Sequence, residues 1–127
     1  MAKFTWEHVH LRSPDPEATA QWYHDKLGAD VIRTKNADGS TRLDLNLSGQ
    51  KVFIAHADLA KTGAPPASPY LGLDHFGMTV DDLDGAVKEL KGKGVAFTMD
   101  PKEIRPGVKI AFLTAPQNVS IELIQRG

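Results

Sequence analysis

Two histidines sit in matching contexts along this chain. His8 lies in "WEHVHLRSPDPEATAQWYHDKLG" and His75 in "LDHFGMTVDDLDGAVKELKGKG". They are 67 positions apart, and Asp15 and Asp82, seven residues after each, keep the same offset. A neutral imidazole offers a ring nitrogen to divalent transition metals. Glu122 joins them as a third residue of interest. It stands between Ile121 and Leu123 in the strand-like "VSIELIQ". A carboxylate in so apolar a strand is costly to bury unless a cation or donor meets it. Two imidazoles and one carboxylate are a sufficient set for Fe(II), Mn, Co, Ni or Zn with open positions. Open positions are where substrate or water binds. Singly, each residue has a plainer role: a strand histidine is more often structural, and a lone glutamate sits in water at a sheet edge. The duplicated register, with Glu122 beside it, favours the metal reading.

The elements that must position these residues also come in two copies. Gly28 pairs with Gly94 if one residue is dropped from the second half, and each half reads as strand, helix, then three strands. Residues 5–12 predict a strand. Asp15 suits a helix N-cap, with Pro16 at the first helical position and Gly28 at the stop. Trp22, Tyr23 and Leu27 belong to that helix's apolar face. "TRLDLNL" alternates Leu43, Leu45 and Leu47 onto one face, and "KVFIAH" pairs with it across "SGQ". In the second half, residues 73–80 predict a strand, and Leu83, Val87 and Leu90 recur at helical spacing. "VAFTM", "VKIAFLT" and "VSIELIQ" are strand-like, and "DPKEIRPG" reads as a polar loop that borders a site. The expectation is an α+β fold of paired βαβββ modules in a single domain, 1–127. Module one covers about 3–57, an Ala-, Pro- and Gly-rich linker about 58–71, and module two about 72–126.

Composition excludes several classes. The 127 residues are enough for one domain with its own core. Fifteen basic and sixteen acidic residues give a net charge of −1, without the basic run of a nucleic-acid binder. There is no cysteine, so disulfides, thiolate metal sites and a cysteine nucleophile are excluded. No stretch has the length and apolarity of a signal peptide or a bilayer span, and a cytoplasmic location is expected.

The stretches "EHVHLRSPD…WYHDKLG", "LDHFGMTVDDLD" and "PQNVSIELIQ" resemble the vicinal oxygen chelate superfamily of glyoxalase I, extradiol dioxygenases and bleomycin-resistance proteins. The resemblance spans nearly the whole chain. It implies paired modules forming a cleft around a divalent metal, with His8, His75 and Glu122 as ligands. It implies a small-molecule substrate and a homodimer. The family's fourth ligand falls in the last strand of the first module, where glyoxalase I has a glutamate and this chain has "KVFIAH". The 67 offset maps Glu122 onto Ala55, the one-residue deletion onto His56, and another gap onto Ile54. His56 is the candidate ligand among these. His10, two residues after His8, is a candidate cleft-lining residue. Arg12 is a candidate for substrate binding, since a similar arginine helps bind the glutathione carboxylate in glyoxalase I.

Three functions compete. The first is a metal-dependent lyase or isomerase of the glyoxalase I type, which chelates a substrate through adjacent oxygens with Glu122 as the catalytic base. The second is an extradiol-type Fe(II) dioxygenase with a 2-His-1-carboxylate site. The third is a non-enzymatic binder of small molecules, of the antibiotic-resistance type. Departures from glyoxalase I are "APQN" before the last strand and the missing first-module glutamate.

Overall fold

A computed structural model describes residues 2–127, and each half of the chain folds as a unit of its own, with the boundary between Gly63 and Ala64. That boundary lies inside the connecting segment. Among the described residues, no helix is long and apolar enough to cross a membrane.

The first unit holds β1 (Val9–Ser13), α1 (Pro16–Leu27), β2 (Asp30–Lys35), β3 (Thr41–Leu47) and β4 (Gln50–His56). Its sheet runs in the order β1-β4-β3-β2, with β1 parallel to β4 and the other pairs antiparallel. A strand returning parallel to its neighbour needs a crossover, and α1 begins that crossover over one face of the sheet. Asp15 caps α1 by accepting from the Ala18 N–H at 3.1 Å, and Gly28 closes it with a left-handed φ of 73°. Ala20 and Tyr23 of α1 are fully buried, and Leu43, Leu45, Leu47, Val52 and Ile54 form the core with them. A buried hydroxyl pair, Ser13 to Thr19 at 2.7 Å, ties the end of β1 to the first turns of α1.

The second unit repeats the plan with β5 (Phe76–Thr79), α2 (Leu83–Gly92), β6 (Ala96–Arg105), β7 (Val108–Ala115) and β8 (Val119–Arg126). The sheet order β5-β8-β7-β6 is the same arrangement. Asp82 caps α2 through the Gly85 N–H at 3.1 Å. Leu83, Val87 and Leu90 are buried on the helix, and Ala111, Leu113, Ile121 and Leu123 are buried on the strands beneath.

Two expectations change. Both first strands are shorter than predicted: β1 begins at Val9 and β5 at Phe76. Each histidine therefore lies immediately before its strand. Pairing begins only where β4 and β8 provide partners, at Val9 with Val52 and Phe76 with Ile121. The second change is "DPKEIRPG". Most of it is not a loop, because β6 continues to Arg105 and the turn is confined to Pro106 and Gly107. Proline cannot donate to a ladder. The strand accommodates Pro101 where its register shifts between Met99 and Lys102.

Candidate functional site

Alternation along each strand gives each sheet one face toward its helix and one without. The candidate residues, His56 excepted, are on or lead into the faces without a helix. In the second unit, His75 Nε2 lies 3.4 Å from Glu122 Oε1. Glu122 pairs with Gly77 on β5 and Phe112 on β7. Glycine at 77 puts no side chain beside the carboxylate, and the Phe112 ring meets the His75 ring edge-on at 4.8 Å. The flanking Ile121 and Leu123 point into the core, nearly or fully buried. The strand is apolar because one face is core, while Glu122 occupies the other.

The opposite ring nitrogen of His75 is also engaged. Nδ1 lies 2.8 Å from Asp74 Oδ2, and Ser68 donates to the other Asp74 oxygen at 2.9 Å. The hydrogen bond from His75, followed by the one from Ser68, holds the Asp74 carboxyl below its ordinary range. An ionised carboxylate only accepts, so Nδ1 is the protonated nitrogen. In the neutral ring Nε2 then carries a lone pair, and it faces an oxygen of Glu122. Two acceptors aimed at each other require a proton or a cation between them. Two donors ~2.1 Å from a tetrahedral ion stand ~3.4 Å apart, so the spacing fits a metal. A carboxylate on the remote nitrogen is a common support for a metal-binding histidine. A hollow of about 390 Å³ opens beside Asp74, lined by Ser68, Thr98, Phe112, Thr114 and Ser120 among others.

In the first unit, His8 has a different neighbour. Its ring stacks on Phe53 at 4.0 Å and 22°. His10 meets the same Phe53 ring edge-on at 6.3 Å. Glu7, the counterpart of Asp74, stands 4.0 Å from His8 Nδ1 and also reaches Lys51 at 3.4 Å. A second hollow, of about 400 Å³, includes His10, Arg42, Asp44, Phe53 and His56 in its lining. Within either unit, no group of three or more His, Asp or Glu side chains converges among the described residues.

Strand register identifies the matching positions. His10 pairs with Phe53 in the first unit, and its counterpart Gly77 pairs with Glu122 in the second. Phe53, rather than Ala55, His56 or Ile54, therefore corresponds to Glu122. Counting along the sequence missed it because the connections between strands differ in length and β6 is irregular. His56 ends β4 opposite Ser13, exposed, and alternates onto the face of Val52 and Ile54. Arg12 is exposed and pairs with Ala55, on the same face as His8 and His10. Asp74, Ser68 and Phe53 were not expected as site residues. The acid before each histidine, "EH" and "DH", was the available signal for Asp74.

Comparisons with known proteins agree with this architecture. The model of the glyoxalase/bleomycin resistance protein/dioxygenase superfamily matches residues 5–123. An uncharacterized Bacillus subtilis protein, YwkD, is 30% identical over 94% of both chains. A probable lactoylglutathione lyase of Synechocystis is 27% identical over 93% of this chain and 92% of its own. The chain spans only 35% of a chloroplastic probable lactoylglutathione lyase of Arabidopsis thaliana. A crystal structure of an Enterococcus faecalis glyoxalase family protein superposes with a TM-score of 0.76, at 26% identity, over 95% of this chain and 97% of that one.

Proposed function

The chain belongs to the glyoxalase/bleomycin resistance protein/dioxygenase superfamily, and on that premise we propose that it is a divalent-metal-dependent lyase or isomerase of the glyoxalase I type. The observation that carries this reading is the aligned trio Asp74, His75 and Glu122. His75 and Glu122 are two metal ligands, and His8 is the third. His56 is left out, because it alternates away from the face of His8.

A bound divalent cation supplies Lewis-acid stabilisation of negative charge on neighbouring substrate oxygens. The chain's own groups do the rest. Asp74 holds the His75 tautomer with Nε2 free. Glu122, half-buried and beside a glycine, takes a proton from an acidic substrate C–H and returns it to the adjacent carbon. The probable lactoylglutathione lyase among the relatives supports a small thiol adduct as the substrate to try first.

Elemental analysis after reconstitution tests the site, and hemithioacetal isomerisation followed without O2 tests the reaction. About one metal per chain, lost in His75→Ala and His8→Ala, with turnover abolished in Glu122→Gln, is the expected result. Absence of any bound divalent metal in the wild type sinks the reading.

One observation favours a second reading. With Phe53 at the position matching Glu122, the set is two histidines and one carboxylate, an arrangement associated with Fe(II) oxygen chemistry. Fe(II)-dependent consumption of O2 with a catechol-type substrate, without isomerase activity, would establish the extradiol dioxygenase instead.

A further inference from the structure

Arg42 is oriented by the fold, yet its reactive end is unspent. Its Nε donates to Asp44 Oδ1 at 3.1 Å, and its guanidinium carbon lies 4.5 Å over the Phe53 ring. Among the described residues, nothing pairs with its two terminal nitrogens. Arg42 lines the first unit's hollow, with His10, Asn36 and Thr41. The one carboxylate in that lining is Asp44, which is already taken by Nε. The second unit's hollow differs in kind: its polar lining is hydroxyls, an amide and Asp74, with no cation.

We infer that the first unit's hollow binds a carboxylate or phosphate group of the substrate, with Arg42 as a two-pronged donor and Phe53 as its platform. A planar guanidinium matches either anion in two-pronged geometry, which an ammonium does not. Two contacts already restrict the side chain, so less conformational freedom is lost when the anion arrives. Phe53 also links this site to His8. The ring that carries Arg42 is the ring on which His8 stacks. The anion site and His8 therefore lie on the same face of the sheet, on either side of that ring. The role as a substrate site rests on the metal-chelation reading above; the anion binding itself needs no metal.

The test uses metal-free, full-length protein titrated with succinate, with inorganic phosphate and with neutral succinamide. Binding is read from the arginine Nε–H signals and, in every variant, from the backbone amide signals of the residues lining the hollow in NMR spectra. Succinate or phosphate is expected to shift the Arg42 signal at millimolar concentration, the two arms separating the anion classes, and succinamide is expected to leave it in place. Arg42→Met should weaken anion binding by about tenfold or more, the scale of a charged hydrogen-bonded pair. Arg42→Lys keeps the charge and should still lose about threefold, because the fork is gone. Arg12→Met, on the same face but outside the hollow's lining, should stay within about twofold of wild type. The inference is overturned if neither anion binds, if a folded Arg42→Met or Arg42→Lys variant binds like wild type, or if the loss follows Arg12→Met instead. Anion binding in a protein that takes up no metal would leave this site standing and remove the reading it serves. Metal uptake without anion binding would do the reverse.

Discussion

In the first module the histidine leans on a phenyl ring; in the second it faces a carboxylate. The exchange follows the register. Phe53 on β4 is paired with Asp44 on β3, while Glu122 on β8 is paired with Phe112 on β7. On the face away from its helix each module thus pairs a phenylalanine with an acid, with ring and acid traded between adjacent strands. In the second module the acid is next to the histidine strand, 3.4 Å from His75 Nε2. In the first it is one strand further and engages Arg42. The repeated scaffold is kept, and the exchanged side chains give one copy a histidine–carboxylate pair and the other an arginine over a phenyl ring. Fold and site respond to different residues here: the helix-facing positions hold the repeat together, and the opposite face is free to diverge.

The matched cores offer the largest effect. Leu45 and Leu113 occupy equivalent positions, at 1% and 0% exposure. Leu45→Ala and Leu113→Ala should each cost about 2–5 kcal/mol in denaturant unfolding. Similar losses mean that the two cores are equivalent; a much smaller loss in one would break the symmetry.

The acids before the histidines should differ. Asp74→Asn is expected to weaken metal binding about 10–100-fold by removing the support of His75. Glu7→Gln should change it little, since Glu7 is 4.0 Å from His8 and shared with Lys51. Competition with a chelator measures both. Equal effects would show that the difference between the two acid–histidine pairs is irrelevant to the metal.

Phe53→Glu rebuilds the second module's plan in the first. It should tighten metal binding by supplying a carboxylate next to His8, and it replaces the ring under Arg42 with a group that pairs with the guanidinium. Isothermal titration with a divalent metal reads the first effect; weaker or unchanged binding argues that Phe53 is not the counterpart of Glu122.

A smaller effect separates the helices. Tyr23 of α1 stands 67 positions before Leu90 of α2, and both are buried. Among the described residues, the Tyr23 hydroxyl has no hydrogen-bond partner, and burial raises its pKa well above the ordinary phenol range. Tyr23→Phe should leave thermal stability unchanged or raise it by up to about 1 kcal/mol, since a buried hydroxyl without a partner is a desolvation cost. A clear drop in the melting midpoint would reveal a partner for that hydroxyl.

The smallest effect lies in the salt bridge between α1 and β2. Hydrogen bonding from Arg33 lowers the pKa of Glu17 below 4.5. A depressed carboxyl stabilises the fold above its unfolded pKa, and that contribution disappears as pH falls through the folded value. Glu17→Gln should therefore reduce the stability lost by acidification below about pH 4.5. The pair is exposed, so the change is slight. A wild-type and variant acid profile that coincide would show that the pair contributes nothing.

The sequence by itself determined the duplication, both helix caps, the strands carrying Leu43, Leu45, Leu47 and Glu122, and the two histidines. These are local signals: an alternation, a 3.6-residue period, an aspartate before a helix, a repeated offset. Tertiary structure decided which residue matches Glu122. A one-residue slip moves a side chain to the other face of a sheet, and counting along the chain cannot see how long each turn is. Only the ladder of β1 on β4 and β5 on β8 put Phe53 and Glu122 in the same place. Contacts between residues remote in sequence were hidden for the same reason. The approach of His75 to Glu122, and of Arg42 to Phe53, exists only once separate strands lie side by side.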